Sequence, residues 1–560
     1  MTTSSEKKRQ NKRLEADSRP AEKYGHLVLL RADWRFLLPN PNPDKSICFA
    51  DGMLAKAVET ISNSTLQSDL QPPSDEHDLA VATDPDEKLL NVVFSALKPG
   101  GSCYIEWDVH TFFKPEAIGV KLEKAGFEMI NFYVPKPDPA KAPSVIWIPL
   151  ESYGAVSFLL KRAYHDKTYS AIKKIGNALR YFLWLLSPRL FINYPWLLSS
   201  GQTRFKVCSL ARKPGNQSGK EAPFSVEERL GNIIRGYLNS NGDSEHGKIT
   251  EILMLTAGSH RFNKVVLAVF EEKAYIPTII VKIPRIDRSA HTLANEVKTL
   301  RTVHDEFKLT TGVPQVVFAN HDLGYYAVGE TFIEGVPLAK ILKRNNCREL
   351  ALKATSWLLE LAKKSEIKLH NDWRNTLIKP LIQEFTARFG HSIDSGLIEQ
   401  TNDVVSNFEI PCLICEHRDF SPWNIHVDSK GRLGVLDWES SRLSGLPALD
   451  LIYFITYLCF YVEDAWRLSN FKECYKTMLN SDTFTGSIFK ECLNRYATTL
   501  GIPIKSLYPL RIVAWLTHMV SEFEHSAPDD RQTGQFETAR KSLFLELWEE
   551  DILLSGEIEP

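Results

Sequence analysis

The most constraining feature of this sequence is the stretch 415–439, in which a polar loop lies between apolar runs of strand-like pattern. His417, Asp419 and Asn424 lie in the loop that follows the first run. A second aspartate, Asp437, comes after a polar Asp-Ser-Lys-Gly turn and a further short apolar run. A turn of this composition between two apolar runs predicts a β-hairpin. The order is therefore strand, loop, strand, turn, strand, with Asp437 at the end of the last strand.

The residue types in this stretch suit phosphoryl transfer from ATP. That reaction offers the protein little covalent chemistry, so it depends on a base near the attacking hydroxyl and on metal ions held against the phosphates. We assign the base to Asp419. Magnesium prefers hard oxygen ligands, which Asn424 and Asp437 can supply. His417 is expected to brace the loop by packing. The alternative is a buried hairpin whose polar residues are ordinary caps.

The pattern resembles the aminoglycoside phosphotransferase and choline kinase family, the small-molecule branch of the protein-kinase-like fold. Ser421 stands where protein kinases usually carry a lysine, and Trp438 follows Asp437 in place of their Phe-Gly. The later segment G-L-P-A-L-D-L also resembles the family, which implies that Asp450 pins the loop to a helix. The resemblance implies ATP and Mg²⁺ as cofactors and a small-molecule hydroxyl compound as substrate.

The resemblance extends upstream to a lysine and a glutamate. The strand pattern at 278–284 resembles the third strand of a kinase-like lobe, whose lysine contacts the phosphates of ATP; here that residue is Lys282. The helical pattern that follows offers Glu296 as a partner for Lys282. Either residue alone is more often a solvated charge, so the assignment depends on their occurring together before the catalytic loop.

Two backbone segments complete the predicted nucleotide site. Gly258 and Ser259 lie between two strand patterns, where their backbone amides would cover the phosphates. The segment from Glu330 to Phe332 resembles the hinge of the family, whose backbone groups meet the adenine. A Gly-Ser turn is also an ordinary hairpin, so these positions are assigned through the resemblance.

The first half of the chain alternates strand and helix patterns, which predicts an α/β sheet. The segments L-K-P-G-G-S-C-Y-I-E, K-A-G-F and R-F-K-V-C-S-L-A-R resemble class I S-adenosylmethionine (SAM) methyltransferases over about 24–213. The cofactor loop departs from that family, because a single glycine, Gly52, follows the first strand in place of G-x-G-x-G. We therefore expect a methyltransferase-like fold without its chemistry, and no SAM. A divergent site using Asp51 and Gly52 is the alternative.

The insertion 151–201 is basic at first and apolar later. Its apolar part approaches the length of a membrane span, but Pro188, Arg189, Asn193 and Pro195 interrupt it. A basic amphipathic segment with aromatic residues can instead lie in a membrane interface, so peripheral membrane contact through 161–198 is one hypothesis. The alternative is a helical pair packed on the sheet or on the second domain.

The predicted organisation joins an α/β domain with a methyltransferase-like sheet to an α+β bilobal protein-kinase-like domain. Its parts are a disordered tail 1–23, the first domain 24–213, a linker 214–224 and the second domain 225–560, with lobes 225–335 and 336–560. The acidic run 546–551 predicts a solvated face.

Composition restricts the partners and the compartment. The formal net charge of −2 gives no argument for nucleic acid. The nine cysteines are scattered and odd in number, which favours a reducing compartment over a disulfide framework. Cys412 and Cys415 form a weak metal signal without a second pair, and we interpret both as small buried residues. The polar N-terminus does not resemble a signal peptide, so a cytoplasmic location is expected.

Three hypotheses follow for function. The first is an ATP- and magnesium-dependent phosphotransferase acting on a hydroxyl of a small molecule. The second is a non-catalytic scaffold that keeps nucleotide affinity without turnover. The third is a bifunctional protein whose first half retains SAM-dependent methyltransferase activity. The presence of Lys282, Asp419, Asn424 and Asp437 together favours the first.

Overall fold

The computed structural model describes most of the chain, and its residues divide into two compact units. The first comprises Met1–Leu293 with Val316–Phe332, and the second comprises Ala294–Gln315 with Ile333–Pro560. The described residues are 26–67, 74–110, 113–142, 144–165, 171–187, 191, 195–198, 204–215, 225–240, 249–256, 258, 262–272, 274–391, 393–525 and 542–554. The predicted tail 1–23 and Ser259 lie outside these ranges.

The described strands of the first unit form one twelve-stranded sheet. They are β1 Lys45–Phe49, β2 Ser64–Gln67, β3 His77–Thr83, β4 Leu97–His110, β5 Glu128–Lys136, β6 Ile146–Pro149, β7 Arg204–Arg212, β8 Ile249–Thr256, β9 Lys264–Glu271, β10 Ile279–Pro284, β11 Val316–Asn320 and β12 Ala327–Thr331. Their order is β11-β12-β10-β9-β8-β6-β5-β7-β4-β3-β1-β2. The pairs among β1 to β4 are parallel and the others are antiparallel.

Helices alternate with these strands along the chain. They are α1 His26–Leu30, α2 Gly52–Ile61, α3 Glu87–Ala96, α4 Pro115–Lys124, α5 Tyr153–His165, α6 Ala171–Leu186 and α7 Val226–Ser240; α8 Ala290–Asp305 contains the boundary between the units. Helix α3 begins where the side chain of Asp86 accepts a hydrogen bond from Leu89 N, as expected of an N-cap aspartate. The alternation of strands and helices predicted for the first half is present.

The sheet continues across the region where we predicted a linker. Ile146 and Trp147 of β6 pair with Leu255 and Met254 of β8. Residues 216–224 of the predicted linker lie outside the described ranges. Strands from both predicted domains therefore share one sheet, and the structural division falls inside the predicted kinase-like half.

The second unit is mainly helical. Its elements are β13 Val336–Pro337, α9 Leu338–Ile341, α10 Cys347–Lys364, β14 Ile367–Lys368, α11 Lys379–Phe389, α12 Ser395–Ser406, β15 Cys412–Glu416, β16 Ile425–Val427, β17 Leu433–Val435, β18 Arg442–Gly445, α13 Leu449–Val462, α14 Ala465–Leu468, α15 Phe471–Leu479, α16 Phe484–Leu500, α17 Leu507–His525 and α18 Leu543–Leu554. Helix α13 is apolar on nearly every side and is buried from Leu449 to Phe460, as its composition requires.

The acidic run 546–551, in the middle of α18, corrects one expectation from the sequence. Asp551 is buried, not solvated, and its carboxylate accepts hydrogen bonds from Arg511 Nε at 2.9 Å, Tyr475 Oη at 2.7 Å and Trp515 Nε1 at 2.8 Å. These donors lie on α17 and α15, so Asp551 fastens α18 to the bundle. All nine cysteines are buried, as expected for Cys412 and Cys415. Among the described residues, every helix is too short or too polar to cross a bilayer.

Candidate active site

The hairpin predicted between the two aspartates is present. Strands β16 and β17 pair antiparallel, with His426 opposite Gly434. The Asp428 carboxylate closes the turn by accepting the backbone N–H groups of Lys430 and Arg432, both at 2.8 Å. This confirms the predicted hairpin. The turn also sets the register of β17, the strand that precedes Asp437.

Asp419 is held by two hydrogen-bond donors. Asn424 Nδ2 donates to Asp419 Oδ2 at 2.7 Å and also to the Asp419 carbonyl oxygen at 3.1 Å. The hydroxyl of Tyr453, on α13, donates to Asp419 Oδ1 at 3.3 Å. Because the amide nitrogen of Asn424 is used inside the loop, its Oδ1 is the atom left to face a ligand. Tyr453 is a residue that the sequence analysis missed.

The electrostatic environment of Asp419 strongly favours its neutral form. Burial, and after it the charges of Asp437 and Glu439, raise the pKa of the Asp419 carboxyl to about 8, against the opposing effect of the donors Asn424 and Tyr453. A carboxylate placed beside like charge is characteristic of functional sites. A cation bound here would relieve this repulsion and lower the pKa.

The donor set fits magnesium better than a metal that needs several protein ligands. No group of three or more His, Cys, Asp or Glu side chains able to hold a metal occurs in the described part of the chain. Magnesium usually takes only one or two carboxylates and completes its shell with water and phosphate oxygens. Asp437 and Asn424 Oδ1 match that requirement, and the crowding of Asp419, Asp437 and Glu439 supplies excess negative charge.

His417 braces the loop, as expected. It is buried, and its Nε2 lies 3.0 Å from the Leu436 carbonyl oxygen while its Nδ1 lies 3.3 Å from the Asp419 backbone nitrogen. A neutral imidazole with the proton on Nε2 satisfies both contacts, since it donates to the carbonyl and accepts from the amide. The ring also packs edge-on against Trp438, with centroids 4.7 Å apart. His417 therefore joins the start of the loop to the end of the hairpin.

Asp450 has the structural role that the family resemblance implied. It lies in the first turn of α13, and its two carboxylate oxygens accept the backbone N–H groups of His417 and Arg418, both at 2.7 Å. Burial, and after it the charge of Glu416, raise the pKa of Asp450 to about 7, against the opposing effect of the two backbone donors. Arg418 adopts φ 66°, so the loop bends sharply where Asp450 holds it.

Helix α8 supports the turn after Asp437. Asp437 adopts a left-handed conformation with φ 69°, and the backbone N–H of the next residue, Trp438, donates to Glu296 Oε1 at 3.0 Å. Asn295 Nδ2 donates to the carbonyl oxygens of Glu439 and Ser441, both at 2.9 Å. The sequence analysis did not find these contacts. They make Glu296 a positioning residue for the turn that carries Asp437.

In the first unit, Lys282 forms an ion pair that the sequence analysis did not predict. Its Nζ lies 3.0 Å from Glu330 Oε2, and both side chains are buried. The sheet register explains the contact, because Ile280 of β10 lies opposite Glu330 of β12, and Lys282 is the next residue on the same face. The predicted pairing of Lys282 with Glu296 stays a prediction.

The remaining predicted nucleotide positions in the first unit have backbone roles. The N–H of Phe332 donates to the Thr278 carbonyl oxygen at 3.2 Å. Gly258 adopts φ 66°, and its N–H donates to Ser144 Oγ at 2.8 Å. The positive φ at Gly258 favours glycine, and a Cβ there would also require the Asn263 side chain to move. Their contacts with a nucleotide stay predictions.

A model of a family described as the phosphotransferase enzyme family matches residues 404–472. The matched segment contains Asp419, Asn424, Asp437 and Asp450, so it includes the whole loop and hairpin described above. This segment of the chain is therefore similar to that family. No curated protein matches the chain.

Solved structures similar to this chain include several phosphotransferases. The aminoglycoside phosphotransferase APH(4)-Ia is 12% identical, with 57% of this chain and 98% of that chain covered and a TM-score of 0.37. The gentamicin complex of APH(2")-IIa is 14% identical, with 58% and 99% covered and a TM-score of 0.35. The macrolide 2'-phosphotransferase MphH from Brachybacterium faecium is 13% identical, with 55% and 96% covered and a TM-score of 0.35.

Proposed function

We propose that this protein is a small-molecule kinase, which transfers the γ-phosphoryl group of ATP to a hydroxyl of its substrate in a magnesium-dependent reaction. The observation that carries the proposal is the position of Asp419. Its carboxylate is bound by Asn424 and Tyr453 and lies close enough to Asp437 for the second charge to raise its pKa. This arrangement lies inside the segment that matches the phosphotransferase family.

In this proposal each loop residue has one task. Asp419 accepts the hydroxyl proton of the substrate as the oxygen attacks the phosphorus and ADP leaves, so its carboxylate must be ionised. Asn424 orients that carboxylate through Nδ2, and its Oδ1 together with Asp437 would hold magnesium. The bound ion supplies positive charge against the phosphate oxygens. A cation bound at Asp437 would offset the negative charge of that carboxylate and so favour the ionised, basic form of Asp419.

The nucleotide contacts in the first unit are part of the same proposal. Lys282 contacts the phosphates of ATP, and Glu330 fixes the position of its ammonium group. Backbone amides at Gly258 and Ser259 cover the phosphates, and backbone groups from Glu330 to Phe332 meet the adenine. A cation is needed at Lys282 because the triphosphate carries several negative charges.

One side of Asp419 is aromatic, and we propose that the acceptor binds there. The ring of His518 stacks on Tyr453 with centroids 3.9 Å apart, and Tyr457 lies one turn along α13 from Tyr453, at 4.8 Å. Burial lowers the pKa of His518 to about 3, with Arg418 contributing, so this imidazole is neutral at physiological pH. We propose a small hydroxyl compound as acceptor, bound beside this aromatic group.

We further propose that the first half, 24–213, has a methyltransferase-like fold without SAM binding. Trp34 stacks on Tyr104 at 3.9 Å, and both belong to the same buried cluster as Cys48 and Ala50, where β1 ends. The residues at this end of β1 therefore belong to a buried apolar core. Calorimetry with SAM at high protein concentration tests the proposal, and measurable heat of binding would contradict it.

The kinase proposal is tested by ATP turnover of the full chain with magnesium, in the presence and absence of pooled hydroxyl compounds. Acceptor-dependent turnover should fall by about 10²–10⁴-fold in Asp419→Asn, which is the usual contribution of a general base. Asp437→Ala should abolish the metal-dependent turnover. Asp403→Asn, at an exposed aspartate of α12, is the matched control and should retain full activity.

The same experiment separates the kinase from a nucleotide-binding scaffold. A scaffold would gain thermal stability from magnesium and ATP but would show no turnover with any acceptor pool. Turnover retained in Asp437→Ala would instead overturn the metal assignment. A reducing, cytoplasmic location remains part of the proposal and can be tested by fractionation.

A further inference from the structure

The second unit contains a cavity that the proposed catalytic site does not use. Its volume is about 500 Å³, and it is lined by residues of α10, of the turn that joins β16 to β17, and of α16. That volume is usual for a small-molecule site, which holds about 300–1,000 Å³. The residues that line the cavity do not include Asp419, Asn424 or Asp437. A molecule bound here would therefore occupy a second site.

The inner wall of this cavity is apolar. It contains Trp357 and Leu433, each 8% exposed, and the half-buried Leu352. The ring of Trp357 stacks on Phe420 with centroids 5.4 Å apart. The Trp357 N–H has no hydrogen-bond partner in the part of the chain that the structure describes, so packing alone holds the ring. The wall is therefore suited to a flat apolar group.

Two acidic residues line the cavity, and each already has a lysine partner. Both lie on the exposed side of α10. Lys353 Nζ lies 2.9 Å from Glu349 Oε1, and Lys364 Nζ lies 3.8 Å from Glu360 Oε1. Pairs at this i, i+4 spacing are the usual ones on a helix surface. Neither glutamate therefore depends on a ligand for its partner.

The arginines of the lining differ from these glutamates and from each other. Arg432 Nε lies 2.7 Å from Asp428 Oδ2, within the turn. Arg495, on α16, is exposed, and no carboxylate lies within 4 Å of it among the described residues. A guanidinium group binds a carboxylate or a phosphate through two parallel N–H donors. Arg495 can therefore bind an anion without giving up an ion pair.

We propose that this cavity binds a small aromatic organic acid. The ring of the acid would pack on Trp357 and Leu433, and its carboxylate or phosphate group would bind the guanidinium group of Arg495. Inorganic phosphate would use Arg495 but not the apolar wall, and a neutral aromatic compound would use the wall but not Arg495. The proposal is independent of the proposed kinase reaction, since it concerns binding alone.

The experiment is a calorimetric titration of the full chain with 2-naphthoate, 2-naphthyl phosphate and the neutral analogue 2-naphthamide. We expect at least one of the acids to bind, and the amide to bind at least about tenfold more weakly, because it cannot form charge-assisted hydrogen bonds with Arg495. The acid that binds more tightly shows whether the site prefers a carboxylate or a phosphate. Absence of binding by both acids, or equal affinity for the amide, would overturn the proposal.

Two variants locate the bound acid. Arg495→Gln should weaken binding of the acid by about tenfold or more and leave the weak binding of the amide unchanged. Ser356→Trp fills the cavity from an exposed position of α10 and should abolish binding of both. The matched control is Arg467→Gln, at an exposed arginine of α14 outside the lining, which should bind as the wild type does. Wild-type affinity in Arg495→Gln or in Ser356→Trp would overturn the proposal.

A competition experiment separates this cavity from the proposed nucleotide site. The titration is repeated with ADP and magnesium present in excess, and the affinity for the acid should not change. Displacement of the acid by ADP would place it in the nucleotide site and overturn the proposal. Each variant should keep the wild-type Tm, since the changed side chains are exposed, so a lost affinity reports the site and not the fold.

Discussion

Buried carboxylates occur in both units of the molecule, and the two units stabilise them differently. In the first unit, Asp33 is buried and receives three hydrogen bonds of 2.9–3.1 Å from the guanidinium group of Arg285. In the second unit, Asp419 has two neutral donors, Asn424 and Tyr453, and a second carboxylate, Asp437, nearby.

The carboxyls of Asp33 and Asp419 differ in the neighbouring groups that shift their pKa values. Burial raises the pKa of Asp33, but Arg285 and then Arg35 oppose that effect. For Asp419, burial and Asp437 act in the same direction and raise the pKa to about 8. We therefore assign Asp33, with its bidentate cation, to the stability of the fold and Asp419, beside the like charge of Asp437, to the chemistry of the site.

The largest effect should come from breaking the ion pair between Asp33 and Arg285. Arg285→Met removes the cation from Asp33, and leaving a buried charge without its partner costs about 3–5 kcal/mol. We expect the free energy of unfolding to fall by that amount, measured by urea denaturation near pH 7. The loss should shrink at low pH, because protonated Asp33 no longer needs the cation.

The control for this prediction is the double variant Asp33→Asn, Arg285→Met. Removing both charges avoids the isolated buried carboxylate, so the double variant should be more stable than Arg285→Met alone. If Arg285→Met costs less than about 1 kcal/mol, the pair behaves as a surface ion pair. The claim that Arg285 is needed to stabilise buried Asp33 would then be wrong.

The next effect, opposite in sign, concerns Asp419. Its folded-state pKa of about 8 lies above the unfolded value of about 3.9. The stability associated with this carboxyl is therefore complete below about pH 4 and is lost progressively as the pH rises to about 8. Asp419→Asn removes that loss, so the variant should gain Tm over the wild type as the pH increases, by about 2–4 °C for each 1 kcal/mol.

Thermal scans of wild type and Asp419→Asn from pH 5 to pH 9, without magnesium, measure this difference in Tm. Asp450 is intact in both proteins, so its own raised pKa cancels. Added magnesium should reduce the difference, because a cation near Asp437 favours ionised Asp419. A difference in Tm that stays constant with pH would show that Asp419 is ionised throughout this pH range, as expected of a carboxylate paired with a cation.

The parts of the site that the sequence predicts are those that local spacing determines. The hairpin, the bracing role of His417 and the position of Asp450 all depend on residues within one stretch, and the structure has each of them. Turn residues between apolar runs and an aspartate at the start of a helix are local features, so they can be read without knowing the tertiary contacts.

The parts that the sequence does not predict depend on strand register and helix packing between distant residues. The pairing of Lys282 with Glu330 follows from the alignment of β10 with β12, which periodicity alone does not specify. The burial of Asp551 depends on the donors of α15 and α17 that meet it. A charged run predicts a solvated face until a buried partner for one of its members is known.

The smallest effect, and the one that sharpens the comparison most, concerns Tyr453. Tyr453→Phe removes the donor to Asp419 Oδ1, and a hydrogen bond to a charged group contributes about 1.5–3 kcal/mol at ideal length and less at 3.3 Å. We expect kcat to fall by up to about tenfold. Because this donor lowers the pKa of Asp419, its loss should also move the acidic limb of the kcat profile to higher pH.

Tyr461→Phe, two turns further along α13 and half-buried, is the matched control. A fall in kcat without a shifted limb would mean that Tyr453 acts only through packing, and the neutral donors would then not be what distinguishes Asp419 from Asp33.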